Sequence, residues 1–377
     1  MGHGTGDDMT HSSLGDRLQQ QINANGPLSL ANYMAACLGD PDHGYYQQQT
    51  PFGIDGDFIT APEISGMFGE MCGLYLAHMF ELSQPALPAI DDSVITELGP
   101  GRGTLMRDMQ HVWTQLMPAM RTHPVHFVET SQKLRDQQAD IMAEHDGKMT
   151  WHDAADGLPD APLFGIANEF FDALPIDQFI YRKGGWHHRL VGVDEDAGGL
   201  CFTDGPIADD ALQNQLSGPK PASDGDIAEL CPAADAVMDQ LAQRVARYGG
   251  AILIVDYGQA GNRGDSLQAV ADHKPVDPFF EPGRADLSHW VDFDALGKRA
   301  SMAGARLIGP VPQGRFLMRI GLAARAEQAA ATAEAEMRRA LLAAIDRLTS
   351  PAQMGEAFKV ALLVPDGTGT PPGFEIE

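Results

Sequence analysis

The chain has 377 residues, of which 44% are hydrophobic and 21% are charged. These values are typical of folded globular proteins and exclude collagen-like, coiled-coil, disulfide-scaffold and disordered classes, and the length allows two or three domains or one large α/β domain with insertions. Because 52 acidic residues against 26 lysines and arginines give a net charge of −26, the charge argues against a nucleic-acid or membrane-surface protein and accommodates a cationic partner more easily.

The cysteines and the N-terminus indicate a reducing compartment. The four cysteines form no Cys-x-x-Cys pair, so neither a zinc site nor a disulfide framework is expected: Cys37, Cys72, Cys201 and Cys231. Residues 1–16 are polar and acidic and lack the apolar core of a signal peptide. We therefore expect a cytoplasmic protein with no metal and no membrane insertion.

Residues 14–82 have the pattern of helices joined by a Gly/Pro/Asp-rich connector. The clearest start signal is a capping box, in which the Thr60 hydroxyl accepts from the Glu63 backbone N–H and the Glu63 side chain reaches back. The helix that follows carries three glycines that would let another backbone come close: Gly66, Gly69 and Gly73.

Short β-rich segments then alternate with helical stretches, which predicts βαβ units and a parallel, doubly wound sheet. The β-rich segments are residues 94–98, 125–129, 163–168 and 251–256. Between residues 175 and 231 the segments are short and broken by Gly and Asp, which indicates an antiparallel β insertion.

The C-terminal part begins with a long Gly/Pro/Asp-rich connection over residues 257–292, a length typical of functional or mobile loops. A β-hairpin is expected around residues 305–320, and the alanine-rich stretch 323–348 predicts one helix. We thus divide the chain into an N-terminal helical region, two core parts with an accessory β insertion between them, and a C-terminal helix with its tail: residues 1–85, 86–175, 176–231, 232–322 and 323–377.

The most informative motif follows the first β-rich segment, where Glu97 precedes three alternating glycines and then an amphipathic helix: Gly99, Gly101 and Gly103. Such a loop brings backbone close to a ligand at a helix N-terminus. The spacing does not match the dinucleotide fingerprint Gly-x-Gly-x-x-Gly. Glu-x-Gly-x-Gly-x-Gly resembles instead the first motif of class I S-adenosylmethionine-dependent methyltransferases; the alternative is a glycine-rich turn between packed elements.

Two acids at later strand ends extend this interpretation. A carboxylate at the end of the next strand can accept both hydroxyls of a ribose, so Glu129 is the candidate ribose ligand, although Glu129 could equally be a solvated side chain or a helix cap. Asp153 is the candidate partner of the adenine amino group.

The segment 163–168 ends in polar residues at the expected ligand crevice, where Asn168, Glu169 and Asp172 are the candidate catalytic residues. A guanidinium presents a planar fork that carboxylates bind, so Glu169 and Asp172 could hold an arginine and help take up its proton. The alternative is that these acids cap a helix next to two core phenylalanines.

Motifs along nearly the whole chain resemble the MidA family, the family of the mitochondrial complex I assembly arginine methyltransferase. They include Gly26-Pro27-Leu28-Ser29, His43-Gly44-Tyr45-Tyr46, the segments 56–65, 97–105 and 169–175, Asp256-Tyr257-Gly258, Asp272-His273-Lys274 and Met354-Gly355-Glu356. The resemblance implies a class I methyltransferase core, S-adenosylmethionine as cofactor and arginine methylation of a complex I subunit, here in a bacterial member. We also expect Thr60, Glu63 and Ser65 to close the cofactor pocket from the N-terminal helices.

Two other hypotheses stay open. One is a non-catalytic assembly factor that binds a complex I subunit and uses the adenosyl pocket for stability or sensing. The other is a small-molecule methyltransferase with the same core. The residues indicate no oligomeric state.

Overall fold

The computed structural model describes residues 13–48, 60–87, 90–145, 147–217, 221–261 and 264–375. Its helices are α1 (Leu14–Asn25), α2 (Leu30–Gly39), α3 (Tyr45–Gln48), α4 (Ala61–Ile64), α5 (Gly66–Ser83), α6 (Thr104–Leu116), α7 (Pro118–Arg121), α8 (Gln132–Ile141), α9 (Asp210–Leu216), α10 (Pro232–Tyr248), α11 (Phe293–Met302), α12 (Gln313–Arg319), α13 (Leu322–Thr332), α14 (Ala335–Thr349) and α15 (Met354–Ala357). Its strands are β1 (Leu28–Ser29), β2 (Val94–Leu98), β3 (Val125–Val128), β4 (Met149–His152), β5 (Leu163–Asn168), β6 (Asp177–Arg182), β7 (Gly185–Val193), β8 (Leu200–Ile207), β9 (Ile227–Leu230), β10 (Gly250–Gln259), β11 (Gln268–Ala271), β12 (Lys274–Pro275), β13 (Asp286–Ser288), β14 (Val291–Asp292), β15 (Ala305–Pro312) and β16 (Phe358–Pro365).

The described residues fall into two compact units. The smaller unit draws on the ranges 1–49, 175–230 and 263–287, and the larger unit draws on 50–174, 231–262 and 288–377. The N-terminal helices are divided between them, since α1 to α3 belong to the smaller unit and α4 and α5 to the larger one.

An eight-stranded sheet forms the centre of the larger unit. Its order is β15-β16-β10-β5-β2-β3-β4, with β14 beside the end of β10. Five neighbouring strands of this sheet are parallel: β10, β5, β2, β3 and β4. Strand β16 is antiparallel to both of its neighbours, β10 and β15. The strand order reverses at β2, because the chain continues from β2 to β3 and β4 on one side and then crosses to β5 on the other. The predicted doubly wound α/β fold is confirmed.

Helices cover both faces of this sheet, which is why its central strands are apolar on both sides. Every residue of β2 and β5 is buried. Apolar side chains of α5 and α6 pack on one face with Ile95 and Phe164, and those of α10 and α11 pack on the other with Val94 and Leu98.

The contact between α5 and α6 depends on a missing side chain. A Cβ at Gly73 would stand 2.9 Å from the Cα atom of Met109 and 2.9 Å from the Cγ1 atom of Val112. The Trp113 indole N–H donates to the Gly73 carbonyl oxygen at 2.7 Å. The close backbone approach predicted for this helix is therefore present.

The smaller unit contains the antiparallel β insertion that the sequence predicts. Its main sheet has the order β1-β7-β6-β9, and β8 also pairs with β7. A second sheet has the order β12-β11-β13. Phe179, Trp186 and Leu216 form part of a small separate core beside the main sheet.

Two predictions for the C-terminal part are wrong. The expected hairpin at 305–320 is β15 followed by α12, and β15 pairs instead with β16, which lies some fifty residues further along the chain. The expected single helix over 323–348 is two helices, α13 and α14, with an extended backbone at Glu334. Both helices place apolar residues against one core, so the chain must turn between them. This packing overrides the helix propensity of alanine, which favours one continuous helix.

Across the described residues, no helix combines the length and apolar character that crossing a bilayer requires.

Candidate active site

The predicted site residues gather at one edge of the large sheet. β2, β3, β4 and β5 are parallel, so their carboxyl ends meet at the same edge. The reversal of strand order falls between β2 and β5, and in doubly wound sheets this position forms the ligand crevice.

The glycine-rich loop connects β2 to α6 in a conformation that side chains resist. Gly99, Gly101 and Gly103 have φ values of +62°, +51° and +84°. A Cβ at Gly99 would also stand 2.8 Å from the Cδ2 atom of Phe170. The loop therefore presents backbone rather than side chains next to the N-terminus of α6.

Glu97 lies on β2 just before this loop and is almost completely buried. Its Oε2 atom has no hydrogen-bond partner among the described residues, and the carboxyl group contacts the Met106 backbone N–H. Burial, with a smaller contribution from Asp108, raises the pKa of Glu97 well above its usual value. An unpartnered carboxyl oxygen in such a position is suited to a ligand that brings a positive charge or a donor.

Glu129 follows β3 and is held by neighbours rather than by solvent. Its Oε1 atom accepts the Ser131 backbone N–H at 2.8 Å, and its Oε2 atom accepts from the Gln138 side chain at 3.3 Å. Burial raises the pKa of Glu129, and these hydrogen bonds oppose the shift. The residue that caps α8 is Ser131, whose hydroxyl accepts from the Leu134 N–H, so Glu129 is not the helix cap.

Asp153 differs from the other candidates because its side chain is 89% exposed. It forms an ion pair with Arg135, whose Nη2 atom lies 2.6 Å from the Oδ1 atom of Asp153. The same arginine also donates to the carbonyl oxygen of Glu129 at 2.8 Å, which joins the ends of β3 and β4.

The predicted capping box at Thr60 is wrong. Thr60 does precede α4, but its side chain caps nothing, and Ser65 caps the next helix by accepting from the Met67 N–H at 3.2 Å. The Glu63 carboxylate instead accepts from the Thr104 hydroxyl at 2.8 Å. A tertiary contact with the first residue of α6 thus replaces the local one, and it attaches α4 to the glycine-rich loop.

Asn168 and Glu169 lie together at the end of β5. Glu169 has a φ of +50°, a region that costs a non-glycine residue about 1 kcal/mol or more. Its Oε1 atom accepts from the Ala61 N–H at 3.3 Å and from the Asn168 amide at 3.1 Å. The Oδ1 atom of Asn168 is buried and has no hydrogen-bond partner in the part of the chain that the structure describes. Burial raises the pKa of Glu169.

Asp256, at the end of the predicted segment 251–256, stabilises the turn at Glu169 through hydrogen bonds to its backbone. Its Oδ2 atom accepts the N–H groups of Phe170 and Phe171 at 3.2 and 2.9 Å. Burial, reinforced by the charge of Glu169, raises the pKa of Asp256 to about 7. The structure therefore places a fully buried carboxyl group next to the half-buried Glu169, and the sequence did not assign this group to the site.

One small cleft brings together residues from α4, the glycine-rich loop and the end of β5. Seven of the predicted residues line it: Thr60, Glu63, Glu97, Gly99, Gly101, Asn168 and Glu169. Five others do not line it: Ser65, Gly103, Glu129, Asp153 and Asp172. Among the latter, Asp172 accepts the His289 backbone N–H at its carbonyl oxygen, and Phe171 beside it is a core residue. A larger cavity of about 1070 Å³ lies at the opposite edge of the sheet, near the start of β10, and includes no predicted residue.

Sequence reasoning missed two residues that organise this edge, Gln138 and Asp256. Asp256 ends a predicted strand, so the strand-end argument applied to Glu129 would have found it. Gln138 lies in the middle of α8 and carries no local signal, because its partners come from other elements.

Comparisons with known proteins identify the family of this chain. The profile of a family described as "Putative S-adenosyl-L-methionine-dependent methyltransferase" matches residues 71–311. The mouse (Mus musculus) protein "Protein arginine methyltransferase NDUFAF7, mitochondrial" is 34% identical over 92% of this chain and 83% of its own length. The human protein of the same name is 33% identical over 92% of this chain and 82% of its own.

A crystal structure from Burkholderia thailandensis, solved with S-adenosyl-homocysteine bound, has the same fold. Its TM-score is 0.81 with 26% sequence identity, and the match covers 96% of this chain and 92% of that one.

The residues of this chain fit the adenosyl cofactor. The glycine-rich loop leaves its backbone accessible at the start of α6, and the unpartnered Oε2 atom of Glu97 can accept from an amino group. The resemblance noted from the sequence motifs is confirmed: the chain belongs to the MidA-like family of S-adenosyl-L-methionine-dependent methyltransferases.

Proposed function

We propose that this chain is a protein arginine methyltransferase that acts on a subunit of respiratory complex I. The observation that carries the proposal is the pair of acceptors at the end of β5. The buried Oδ1 atom of Asn168 accepts no hydrogen bond from any described residue, and the Glu169 carboxyl group lies beside it in the cleft that the glycine-rich loop also lines.

This pair suits a guanidinium. Arginine has five N–H donors and no acceptor, so a site that binds it must offer oxygen atoms in a fixed arrangement. The amide of Asn168 already donates to Glu169, which leaves its carbonyl oxygen for a substrate N–H. The names of the relatives, which are protein arginine methyltransferases, support the same substrate class, and the family resemblance supports complex I.

The cofactor supplies a methyl group on a sulfonium centre. Asn168 and Glu169 would hold one guanidinium nitrogen toward it, and positioning of this kind lowers the barrier by removing orientational freedom in advance. The methylated nitrogen must lose one proton, and Glu169 is the acceptor we assign, because its carboxyl group lies in the cleft and burial raises its pKa above the ordinary value. In the same proposal Glu97 receives the cofactor amino group, Glu129 the ribose and Asp153 the adenine, while Thr60, Glu63 and Ser65 keep α4 and α5 against the loop.

The proposal includes a cytoplasmic site of action. The four cysteine side chains are thiols, the form that a reducing compartment maintains.

A labelled-methyl assay tests the proposal. Purified peripheral-arm subunits of complex I are incubated with the protein and methyl-labelled S-adenosylmethionine, and each labelled subunit is remade with its modified arginine changed to lysine. We expect label on one subunit and its loss in the lysine variant. Label on small molecules alone, or binding of S-adenosylhomocysteine without any transfer, would contradict the proposal and favour the metabolite or the non-catalytic alternative.

The variant Glu169→Gln separates catalysis from binding. We expect the rate of methyl transfer to fall at least about 100-fold, since the proton acceptor is lost, while calorimetry with S-adenosylhomocysteine gives nearly wild-type affinity. Asp172→Asn is the matched control outside the cleft, and its turnover should stay close to wild type. Equal loss in the two variants would refute the assignment of Glu169.

A further inference from the structure

One glutamine, Gln138, connects the glycine-rich loop to Glu129, the two parts of the proposed cofactor site. Gln138 lies on α8 with no exposed surface. Its Nε2 atom donates to the Gly101 carbonyl oxygen at 2.7 Å and to the Oε2 atom of Glu129 at 3.3 Å. Both N–H groups of the amide are thereby used, one on the glycine-rich loop and one on the carboxylate after β3.

The direction of this amide is set by Trp151 on β4. The indole N–H donates to the Oε1 atom of Gln138 at 2.8 Å. An indole can only donate, so the amide oxygen must face Trp151. If the amide turned over, its oxygen would face the Gly101 carbonyl and the Glu129 carboxylate, and the indole N–H would lose its acceptor. Trp151 is itself held against Phe127, with ring centroids 5.8 Å apart.

We propose that Gln138 is a positioning residue for the adenosyl ligand, which holds the Gly101 backbone and the Glu129 carboxylate at a fixed separation while Trp151 orients its amide. The inference rests on the proposed assignment of the glycine-rich loop and Glu129 to that ligand. Without this contact, the loop and the carboxylate would move independently, and ligand binding would have to remove that freedom. A preorganised pair avoids this loss of conformational entropy.

No other side chain of similar size meets the same requirements. The position needs two donors and one acceptor in a planar group. A glutamate would set a second carboxylate against Glu129, and a methionine would leave the Trp151 indole, the Gly101 carbonyl and the Glu129 oxygen each without a partner.

The test is calorimetric titration with S-adenosylhomocysteine. For Gln138→Met we expect the dissociation constant to rise about 30-fold, and for Trp151→Phe, which removes only the orienting donor, about 5-fold. Gln137→Met is the matched control on the same helix, because the side-chain oxygen of Gln137 accepts no hydrogen bond from the described residues, Trp151 included; its affinity should equal that of wild type. Unchanged affinity in Gln138→Met would overturn the proposal.

A double-mutant cycle distinguishes positioning from a general effect on the fold. If Gln138 acts through Glu129, the losses of affinity in Glu129→Gln and Gln138→Met will be clearly less than additive in the double variant. Additive losses would mean that Gln138 only stabilises the fold, which would refute the inference. If Gln138→Met does not fold, the variant Trp151→Phe provides the test. Affinity equal to wild type in Trp151→Phe overturns the proposal. A loss of affinity in Trp151→Phe that is absent when Glu129→Gln is also present supports it. Failure of the wild-type protein to bind the ligand would instead count against the assigned site itself.

Discussion

At the scale of single residues, partial or complete burial affects four carboxyl groups of the candidate site. Glu97, Glu129, Glu169 and Asp256 all have raised pKa values with burial as the main cause. Each belongs to the carboxyl edge of the large sheet, where parallel strands end. Taking such groups out of water opposes ionisation unless donors compensate, and here the donors are too few.

Asp256 gives a prediction about pH. Its pKa is about 7 in the folded protein and near 4 when unfolded, so the folded state holds the proton more tightly. The free energy of unfolding contributed by this group is therefore highest below pH 4 and is lost as the pH rises from there through 7.

Chemical denaturation between pH 4 and pH 8 checks this expectation. Asp256→Asn should be less stable than wild type at low pH, because one acceptor is lost, and should have a flatter pH dependence. Asp366→Asn, on an exposed turn, should keep the wild-type slope. A wild-type slope in Asp256→Asn would show that Asp256 is ionised throughout this range.

At the scale of elements, the packing of α5 on α6 shows how tertiary contact overrides propensity. Alanine favours a helix interior over glycine by about 1 kcal/mol. At Gly73 this gain is opposed, because a Cβ would stand 2.9 Å from the backbone of α6. At Gly297, inside α11, a Cβ would meet nothing within 4 Å.

The two glycines give opposite predictions for the same substitution. Gly297→Ala should raise the free energy of unfolding by up to about 1 kcal/mol, whereas Gly73→Ala should lower it by about 1 to 3 kcal/mol, since overpacking forces the helices apart. Denaturant titration of both variants measures the difference. A stabilised Gly73→Ala would mean that α6 can move away without loss.

The start of α4 is a second case in which a tertiary contact overrides a local preference. The local motif at Thr60 and Glu63 is a good capping box, yet Glu63 bonds to Thr104 and Ser65 caps the following helix. A capping box is worth only about 1 kcal/mol, so one tertiary hydrogen bond together with packing against the loop is enough to replace it.

At the scale of the whole molecule, the net charge of −26 concerns association rather than folding. It favours encounter with a basic partner and is screened by salt over about 8 Å at physiological ionic strength.

Salt therefore separates the two ligands of the proposed reaction. Raising sodium chloride from 50 to 300 mM should increase KM for an arginine-containing protein substrate several-fold and leave kcat nearly unchanged. Binding of S-adenosylhomocysteine, which has no net charge, should change little over the same range. A salt-independent KM would mean that the acidic surface plays no part in substrate capture.

The sequence by itself determined the features that depend on neighbours in the chain. Alternating strands and helices predicted the parallel sheet, and the glycine spacing after Glu97 predicted a tight loop between a strand and a helix, because both patterns express local backbone geometry. The short segments after residue 175 predicted the antiparallel sheet for the same reason.

The tertiary structure alone decided what depends on partners far apart in the chain. The pairing of β15 with β16, the amide of Gln138 between Gly101 and Glu129, and the support of the Glu169 turn by Asp256 join residues separated by up to 86 positions. Hydrogen bonds of buried groups are satisfied by whatever the fold brings near, and a window of sequence contains no record of that neighbour.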